Sequence, residues 1–173
     1  MEDHIWLRPL EKDDVPFMHK LYNKKEIMDF WFTEAHFPKD RITTGFEERK
    51  EPGKHRLFVI CKDETSIGLT GLYDIEPVHR NTEFGIMIDP VHQGNGHAGE
   101  VTKMMVDYAF RTLNLHKVHL IVATENEKAV HIYKKIGFEI EGEMKEHYFI
   151  NGEYRDAYMM AILKHSYENR VSE

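Results

Sequence analysis

The order of the sequence patterns constrains this chain more than any single motif does. Three apolar runs rich in β-forming residues follow one another through short turns, at Arg56 to Lys62, Ser66 to Ile75 and Thr82 to Ile88. Such short links favour an antiparallel meander. A glycine-rich loop comes next, then apolar residues at helical spacing, and then a further strand at Lys117 to Ala123. The sequence thus predicts a strand, helix, strand unit that is built around the loop and attached to an antiparallel sheet.

The remaining patterns predict smaller elements on both sides of this centre. Residues 33 to 54 are polar and give a weak helical signal around residues 40 to 49, which makes them a candidate substrate-side flap. Asn151-Gly152 is a strong hairpin-turn signal, and the tail after His165 is polar. The other predicted elements are a strand at Ile5 to Leu10, a helix after Asp13-Asp14 with Val15, Met18, Leu21 and Tyr22 on one face, a helical piece from Glu26 to Phe32, a helix from Glu127 to Ile136 that Gly137 ends, and two strands at Phe138 to Tyr148 and Ala157 to Lys164.

The loop Asp89-Pro-Val-His-Gln-Gly-Asn-Gly-His-Ala-Gly-Glu100 allows two interpretations. Gly94, Gly96 and Gly99 have the spacing G-x-G-x-x-G of dinucleotide-binding folds. In those folds the glycines directly follow the first strand, and an acid lies about 20 residues further on. Here more than 80 residues come first, and the acid at the end of the next strand, Glu125, lies 26 residues beyond Gly99. This order argues against NAD, and the lack of a lysine in the loop argues against a P-loop.

The feature common to all such loops is a backbone that suits an anion. Glycines let the chain approach a phosphate group closely, and the N–H groups at the start of the following helix point into the loop. The letters from Gln93 to Ala98 also read Q-x-x-G-x-A. We therefore expect a ligand that carries a pyrophosphate.

Two motifs in the right order make the chain resemble the GNAT family of N-acetyltransferases. Gln93, Gly96 and Ala98 match the family's pyrophosphate loop, Q/R-x-x-G-x-G/A. About 30 residues later, Asn126 and Tyr133 match its second signature, an asparagine followed by a helix with a tyrosine before Gly-Phe. Nearly the whole chain is also similar to the bacterial spermidine N-acetyltransferases. The stretches that carry this similarity are Leu7-Arg-Pro-Leu-Glu11, Ile27-Met-Asp-Phe-Trp-Phe32, Val78-His-Arg80, Glu83-Phe84, Leu113-Asn-Leu-His-Lys117, Glu125-Asn-Glu-Lys-Ala-Val-His-Ile-Tyr133 and Phe149-Ile-Asn-Gly152.

The resemblance implies both a fold and a reaction. The fold is the α/β acyl-CoA N-acyltransferase fold, with a mixed, mostly antiparallel central sheet flanked by helices. The reaction is direct transfer of acetyl from acetyl-CoA to a primary amine, with a polyamine such as spermidine or spermine as the expected acceptor, in a homo-oligomer. A protein N-terminus or an antibiotic amine is the alternative acceptor, and a non-catalytic acyl-CoA sensor is the alternative outside the enzymes.

The resemblance assigns several residues to the cofactor. The backbone of Met87 and Ile88 is expected to pair with the pantetheine arm, because the family's fourth strand splays from its neighbour. A bulge near Gly85 would contribute to that separation. Asn126 is expected to contact the cofactor and equally suits the N-cap of the following helix. The residues expected against the pyrophosphate are Gln93, Gly94, Asn95, Gly96, His97, Ala98 and Gly99.

Two residues are expected to move protons. The resemblance makes Tyr133 the general acid for the departing thiolate, whereas its helical spacing alone would fit a core aromatic residue. Reference pKa values of about 8.5 for a thiol and about 10 for a phenol make this transfer nearly balanced. An alkyl amine with a pKa of about 10.4 is neutral in roughly one molecule in 2,500 at pH 7, so a base or a water chain must take its proton. Glu83 is the candidate water-mediated base, and a surface carboxylate is the alternative.

The acceptor site is expected to use acidic and aromatic side chains. Asp74, at the end of its strand, is the candidate anchor for a cationic amine, with Glu34 as a possible helper. Trp31 and Phe32 fit a core, an interface or an aromatic wall of the amine site. The related enzymes are dense in acids after this tryptophan, so the interruptions here weaken the case for a second, regulatory polyamine site. The interrupting residues are Thr33, Phe37, Lys39 and Arg41.

Composition limits the other classes of function. A length of 173 residues fits one domain, 1–173. A net charge of −7 disfavours nucleic acid as a partner, and no apolar run approaches the roughly 20 residues that a membrane span needs. The single Cys61 and the absence of a basic and then apolar N-terminus predict a cytoplasmic location. The 12 histidines lack the spacing of a coordination site, so no metal is expected.

Overall fold

The computed structural model describes residues 4–49, 51 and 53–171, and its centre is a seven-stranded sheet. The strands are β1 (Ile5–Pro9), β2 (Arg56–Lys62), β3 (Thr65–Glu76), β4 (Asn81–Ile88), β5 (Lys117–Ala123), β6 (Glu139–Ile150) and β7 (Glu153–Leu163). They lie in the order β1-β2-β3-β4-β5-β7-β6. Within the described residues, no helix has both the length and the apolar character needed to cross a bilayer.

The pairing of the strands leaves a gap in the middle of the sheet. Strands β2 to β4 form the antiparallel meander that their short links predict, and β1 pairs antiparallel with β2 although residues 10–55 separate them in the chain. β7 joins both β5 and β6 in antiparallel pairs. β5 lies parallel to β4, but its register covers only Asn81↔Lys117, Thr82↔Val118 and Glu83↔His119. Beyond Glu83 no register pair joins β4 to β5 in the described chain, so the two strands separate. The mixed, mostly antiparallel sheet predicted from the sequence is confirmed.

Helices cover both faces of the sheet, and each face has its own core. The helices are α1 (Val15–Tyr22), α2 (Lys25–Met28), α3 (Lys39–Glu48), α4 (His97–Asp107), α5 (Glu127–Ile136) and α6 (Lys164–Val171). One core contains residues of α1 and α3 together with Val59 and Met87, and the other contains residues of α4 and α5 together with Ile60 and Phe84. Alternate residues of a strand point to opposite faces, which explains the division.

The same alternation decides which layer each side chain of β4 meets. Phe84 and Ile88 belong to the core beneath α4 and α5, whereas Met87 belongs to the core beneath α1 and α3. Glu83 and Gly85 therefore face the α1–α3 side of the sheet. Two consecutive residues, Glu83 and Phe84, thus reach opposite sides of the sheet at the place where the gap begins.

Two segments are more regular than the sequence patterns indicate. Residues 33–54 contain the ten-residue helix α3, whose weak periodicity is reinforced by burial of Ile42 and Phe46. The polar tail forms α6, and Tyr167 of this helix packs against Phe110 with ring centroids 5.7 Å apart. In both segments a few buried apolar side chains outweigh a mostly polar composition.

Candidate functional site

The gap between β4 and β5 exposes one backbone edge of β4. On its other edge, Met87 and Ile88 pair with Leu69 and Gly68 of β3. A Cβ atom on Gly68 would come within 2.3 Å of the Met87 carbonyl oxygen, so the glycine allows this close approach. The exposed edge of β4 suits an extended ligand arm, although the Ile88 carbonyl oxygen already accepts from the Gln93 side chain, and the pairing of Met87 and Ile88 with the pantetheine arm stays a prediction.

Gly85 lies in a regular part of the sheet and forms no bulge. Gly85 pairs in regular register with Gly71, and the irregularity lies between Tyr73 and Glu76 of β3. The separation of β4 from β5 instead begins where the three parallel pairs end, at Glu83.

The glycine loop at the end of β4 presents a set of unused N–H groups. Gly94 and Gly96 have φ values of 85° and 84°, in the left-handed region that favours glycine. Gly96 is the N-cap of α4, and a Cβ atom there would meet no atom within 4 Å. The backbone N–H groups that donate to no acceptor among the described residues are those of Gly94, Asn95, Gly96, His97 and Ala98. This concave array at a helix N-terminus fits a pyrophosphate.

The other predicted residues of the loop have different local roles. The Gln93 side chain donates to the Ile88 carbonyl oxygen at 2.8 Å, which fixes the loop to the end of β4. His97 is buried, and its Nε2 atom has no hydrogen-bond partner in the described part of the chain. Ala98 packs at the edge of the core, and a Cβ atom on Gly99 would make an ordinary contact of 3.7 Å with Ile132. Of the three loop glycines, Gly99 is thus the one whose backbone conformation another residue could also adopt.

Tyr133 lies on α5 beside the gap. Its ring packs edge-on against Phe84 of β4, with centroids 6.3 Å apart, and against Phe138 at 5.7 Å. Asn126 caps the same helix by accepting from the Ala129 N–H at 3.3 Å. Burial raises the pKa of Tyr133 to about 12. Burial therefore makes this phenol a weaker acid than the reference phenol on which the predicted balance with a thiol was based.

Glu83 lies on the opposite face of β4 among other polar groups. Burial raises the pKa of Glu83, and the negative charge of Asp74 raises it further. Tyr148 also lies within electrostatic reach, because burial and then the Glu83 charge raise the pKa of Tyr148. Tyr73 is the register partner of Glu83 across β3 and β4. The structure therefore brings the predicted base and the predicted anchor, Glu83 and Asp74, into one cluster.

Aromatic rings line this α1–α3 side. Trp31 lies over Gly85, where a Cβ atom would come within 2.8 Å of the indole Cη2 atom. Tyr73 meets Trp31 edge-on at 6.4 Å, and Phe32 stacks on Tyr148 at 3.7 Å with an interplanar angle of 11°. Trp31 is partly buried against the core of the α1–α3 side, and its place in the wall of the amine site stays a prediction.

Polar contacts tie the Trp31 segment to the β6–β7 turn. The Asn151 side chain accepts from the Lys25 ammonium at 2.6 Å and donates to the Asp29 carboxylate at 2.9 Å, while Lys25 and Asp29 pair at 2.8 Å. Together with the stacking of Phe32 on Tyr148, they hold the two segments against each other. Sequence reasoning did not assign Phe32 or Tyr148, because strand and helix periodicity carry no signal for a contact between distant segments.

Glu34 is not part of this cluster. Its side chain is exposed, and in the described chain no hydrogen bond, ion pair or ring contact joins it to Asp74 or Glu83. The segment after Glu34 is held by other contacts: the Asn23 side chain accepts from the Phe37 N–H at 2.8 Å, and the Arg41 guanidinium lies 4.2 Å from the Phe37 ring centroid. The predicted helper role of Glu34 therefore gains no support from its position.

The sheet and its gap define the class of protein. A mixed sheet that opens between two parallel strands, with an anion-binding loop at the end of one of them, is the fold expected of an acyl-CoA N-acyltransferase. The loop, Tyr133 and the carboxylate cluster all border the same opening.

Comparison with known proteins agrees with this class. The family model of the acetyltransferase (GNAT) domain matches residues 4–139. Spermidine N(1)-acetyltransferase from Escherichia coli (strain K12) is 43% identical over 163 residues, which are 94% of this chain and 88% of that protein. The crystal structure of spermidine N-acetyltransferase from Vibrio cholerae in complex with CoA and spermine has a TM-score of 0.92 and 42% identity, covering 95% of this chain and 98% of that one. A dodecameric structure of the Vibrio cholerae enzyme in an intermediate state has a TM-score of 0.86 and 42% identity, covering 96% and 97%.

The chain belongs to the GNAT family of acetyltransferases. The resemblance drawn from the two sequence motifs is therefore confirmed, and the protein is an N-acetyltransferase.

Proposed function

We propose that this enzyme transfers acetyl from acetyl-CoA to a primary amine of a polyamine such as spermidine or spermine. The observation that carries the proposal is the pair of neighbouring carboxylates, Glu83 and Asp74, among aromatic side chains on one face of β4, while Tyr133 lies against the other face. A polyamine needs one carboxylate near its reacting amine and another for a distant ammonium group. The similarity to enzymes named for spermidine supports the same acceptor.

Acetyl-CoA supplies the acetyl group and a thiolate as the leaving group. The N–H groups of Gly94 to Ala98 would hold its pyrophosphate, since they form an unused donor array at the start of α4. The free edge of β4 at Met87 and Ile88 would hold the pantetheine arm. Asn126 keeps its capping role, and a contact between Asn126 and the cofactor stays a prediction.

Glu83 is proposed to take the amine proton through water. A raised pKa makes a carboxylate a stronger base, and Glu83 has such a pKa because of burial and the Asp74 charge. The neutral amine nitrogen then attacks the acetyl carbonyl carbon, an amide bond forms and the carbon–sulfur bond breaks. No covalent enzyme intermediate is needed, because the amine itself is the nucleophile.

Tyr133 is proposed to donate a proton to the departing thiolate. With a pKa of about 12 the phenol stays protonated across the working range of pH, which a donor requires. Complete proton transfer is unfavourable before the carbon–sulfur bond breaks, because the thioester sulfur becomes basic only as it turns into a thiolate. Tyr133 therefore acts first as a hydrogen-bond donor to the developing negative charge, and solvent restores its proton after transfer.

The enzyme is further proposed to work as a homo-oligomer in the cytoplasm. The dodecameric Vibrio cholerae relative supports the oligomer. The single Cys61 supports the location.

A panel of acceptors tests the proposal. The purified full chain is incubated with acetyl-CoA and spermidine, spermine, butylamine, a peptide with a free N-terminus or an aminoglycoside. Thiol release and product mass are then measured. We expect acetylated spermidine and spermine at a much higher kcat/KM than acetylated butylamine. A preference for the peptide or the aminoglycoside would contradict the polyamine proposal and identify that compound as the acceptor. Binding of acetyl-CoA without thiol release for any amine would identify a sensor.

A further inference from the structure

Strand β3 contains a bulge next to the carboxylate cluster. Its register with β2 runs to the pair Arg56↔Leu72, and the Ile75 N–H then donates to the Lys54 carbonyl oxygen at 2.8 Å. Two residues of β3, Tyr73 and Asp74, therefore lie opposite the single residue His55. On the other side, the register with β4 is interrupted between Tyr73 and Glu76. Asp74 thus has no register partner in either neighbouring strand.

The backbone of Asp74 is left-handed, with a φ of 47°. Aspartate tolerates this conformation better than most residues, but the conformation still needs support from its surroundings. An extra residue in a bulge also leaves its own backbone groups outside the ladder. The bulge is therefore a place where neighbouring side chains must complete the hydrogen bonding.

Two side chains from the neighbouring strands supply this support. The Asp74 N–H donates to Nδ1 of His55 at 3.2 Å. The hydroxyl of Thr82, a fully buried residue, donates to the Tyr73 carbonyl oxygen at 2.7 Å. The His55 ring also meets the Tyr73 ring edge-on at 6.1 Å. The bulge is thus held from β2 by an imidazole and from β4 by a hydroxyl.

The hydrogen bond from Asp74 requires a particular state of His55. Nδ1 can accept a hydrogen bond only when it carries no proton, so the imidazole must be neutral. The charged groups that face it are Asp74, Arg49, Lys54 and Glu51. Burial lowers the pKa of His55, and Arg49 and Lys54 lower it further, while Asp74 and Glu51 oppose them. The neutral form is favoured near pH 7.

We infer that His55 is a positioning residue for the acceptor site, because its neutral imidazole holds the Asp74 bulge and so directs the Asp74 carboxylate toward the amine. The inference rests on the proposed function, since Asp74 is the anchor for the distant ammonium group there. His55 itself has no role in the chemistry of acetyl transfer. Its loss is therefore expected to weaken polyamine binding and leave kcat at saturation largely unchanged.

Two matched variants separate the hydrogen bond from simple packing. In His55→Asn the side-chain oxygen can occupy the place of Nδ1 and accept from Asp74, whereas His55→Leu fills space without an acceptor. Loss of one such bond corresponds to about a 2- to 12-fold change in an equilibrium. We expect the KM for spermidine to rise by about that factor in His55→Leu and to recover in His55→Asn. The KM for butylamine should be the same in all three proteins.

A second measurement does not depend on the substrate. The Asp74 amide resonance of the 15N-labelled native protein should shift as His55 titrates, with a midpoint below the usual histidine value of about 6.5. The shift should vanish in both variants, and amide exchange at Asp74 should be faster in His55→Leu only. A pH-independent Asp74 amide in the native protein, or equal exchange in both variants, would overturn the positioning role. If native enzyme does not acetylate spermidine but the amide titrates as described, the proposed acceptor fails and the support of the bulge by His55 stands.

Discussion

The indole of Trp31 covers Gly85 so closely that a methyl group on residue 85 would overlap it. The ideal Cβ position lies 2.8 Å from Cη2 of Trp31 and 3.1 Å from the Tyr73 ring. Because residue 85 is a glycine, the rings of Trp31 and Tyr73, here called the aromatic wall, can pack against β4 beside Glu83. The absence of a side chain on residue 85 thus allows Trp31 to lie close to Glu83.

Gly85→Ala should displace this wall. Overpacking of this kind costs about 1 to 3 kcal/mol of stability, because a bulky side chain has to leave its position. We expect the KM for spermidine to rise by at least about 5-fold, with a small change in acetyl-CoA affinity. Gly142→Ala is the matched control, since a Cβ atom on that strand glycine meets nothing within 4 Å. An unchanged KM together with native stability would show that Trp31 does not contact the amine.

Gly96→Asp should impair the cofactor loop. The substitution places a negative charge in the donor array and puts a side chain on a residue with a φ of 84°. We expect the dissociation constant for acetyl-CoA, measured by calorimetry, to rise more than about tenfold while the fold persists. Gly99→Ala should bind acetyl-CoA normally, because its added methyl group makes an ordinary contact with Ile132. Native affinity in Gly96→Asp would remove the loop from the site.

Tyr133→Phe should lose turnover and keep binding. Phenylalanine preserves the ring contacts with Phe84 and Phe138 and removes only the hydroxyl. Loss of one proton donor reduces kcat by a factor of about 10² to 10⁴, whereas the acetyl-CoA dissociation constant should barely change. Single-turnover measurements establish that chemistry limits the rate. More than half of native turnover under that condition would mean that another group or water is the donor.

Asp74→Asn should change the choice of acceptor. Asparagine also tolerates the left-handed backbone of this residue, so the bulge is preserved while the charge is lost. A charge-assisted contact is worth about 1.5 to 3 kcal/mol, which corresponds to a roughly 10- to 150-fold fall in kcat/KM for spermidine. The fall for butylamine should be much smaller, and added salt should reproduce part of the effect in the native enzyme. Equal losses for both amines would assign Asp74 to the fold or to the chemistry.

The pH dependence of kcat/KM should report Glu83. A base must be deprotonated, so activity rises as pH increases through its pKa, and burial places that pKa above the usual glutamate value. Asp74→Asn removes a charge that raises this pKa, so the acid limb should move to lower pH. Glu83→Gln should lose the limb together with most of the activity. An acid limb that does not respond to Asp74→Asn would contradict the coupling of the two carboxylates.

Elements with a strong local pattern were predictable from the sequence. β5 and α5 occupy the predicted residues Lys117–Ala123 and Glu127–Ile136, because alternation and helical spacing are unbroken there. The loop glycines Gly94 and Gly96 take the positive φ that their motif indicates. By contrast, the bulge at Asp74 could not be predicted, since a bulge depends on the register of two neighbouring strands and leaves no local sequence pattern.

Motifs along the chain were enough to establish the cofactor loop and the resemblance to the family, and with that resemblance Tyr133, Glu83 and Asp74 became candidates. The folded structure was needed to show that the side chains of Glu83 and Tyr133 lie against opposite faces of β4, that Glu34 lies outside the carboxylate cluster, and that burial makes Tyr133 a weaker acid than a free phenol. These properties arise from the end of the β4–β5 pairing and from the surroundings of each side chain. Such surroundings combine segments far apart in the chain, so no local pattern encodes them.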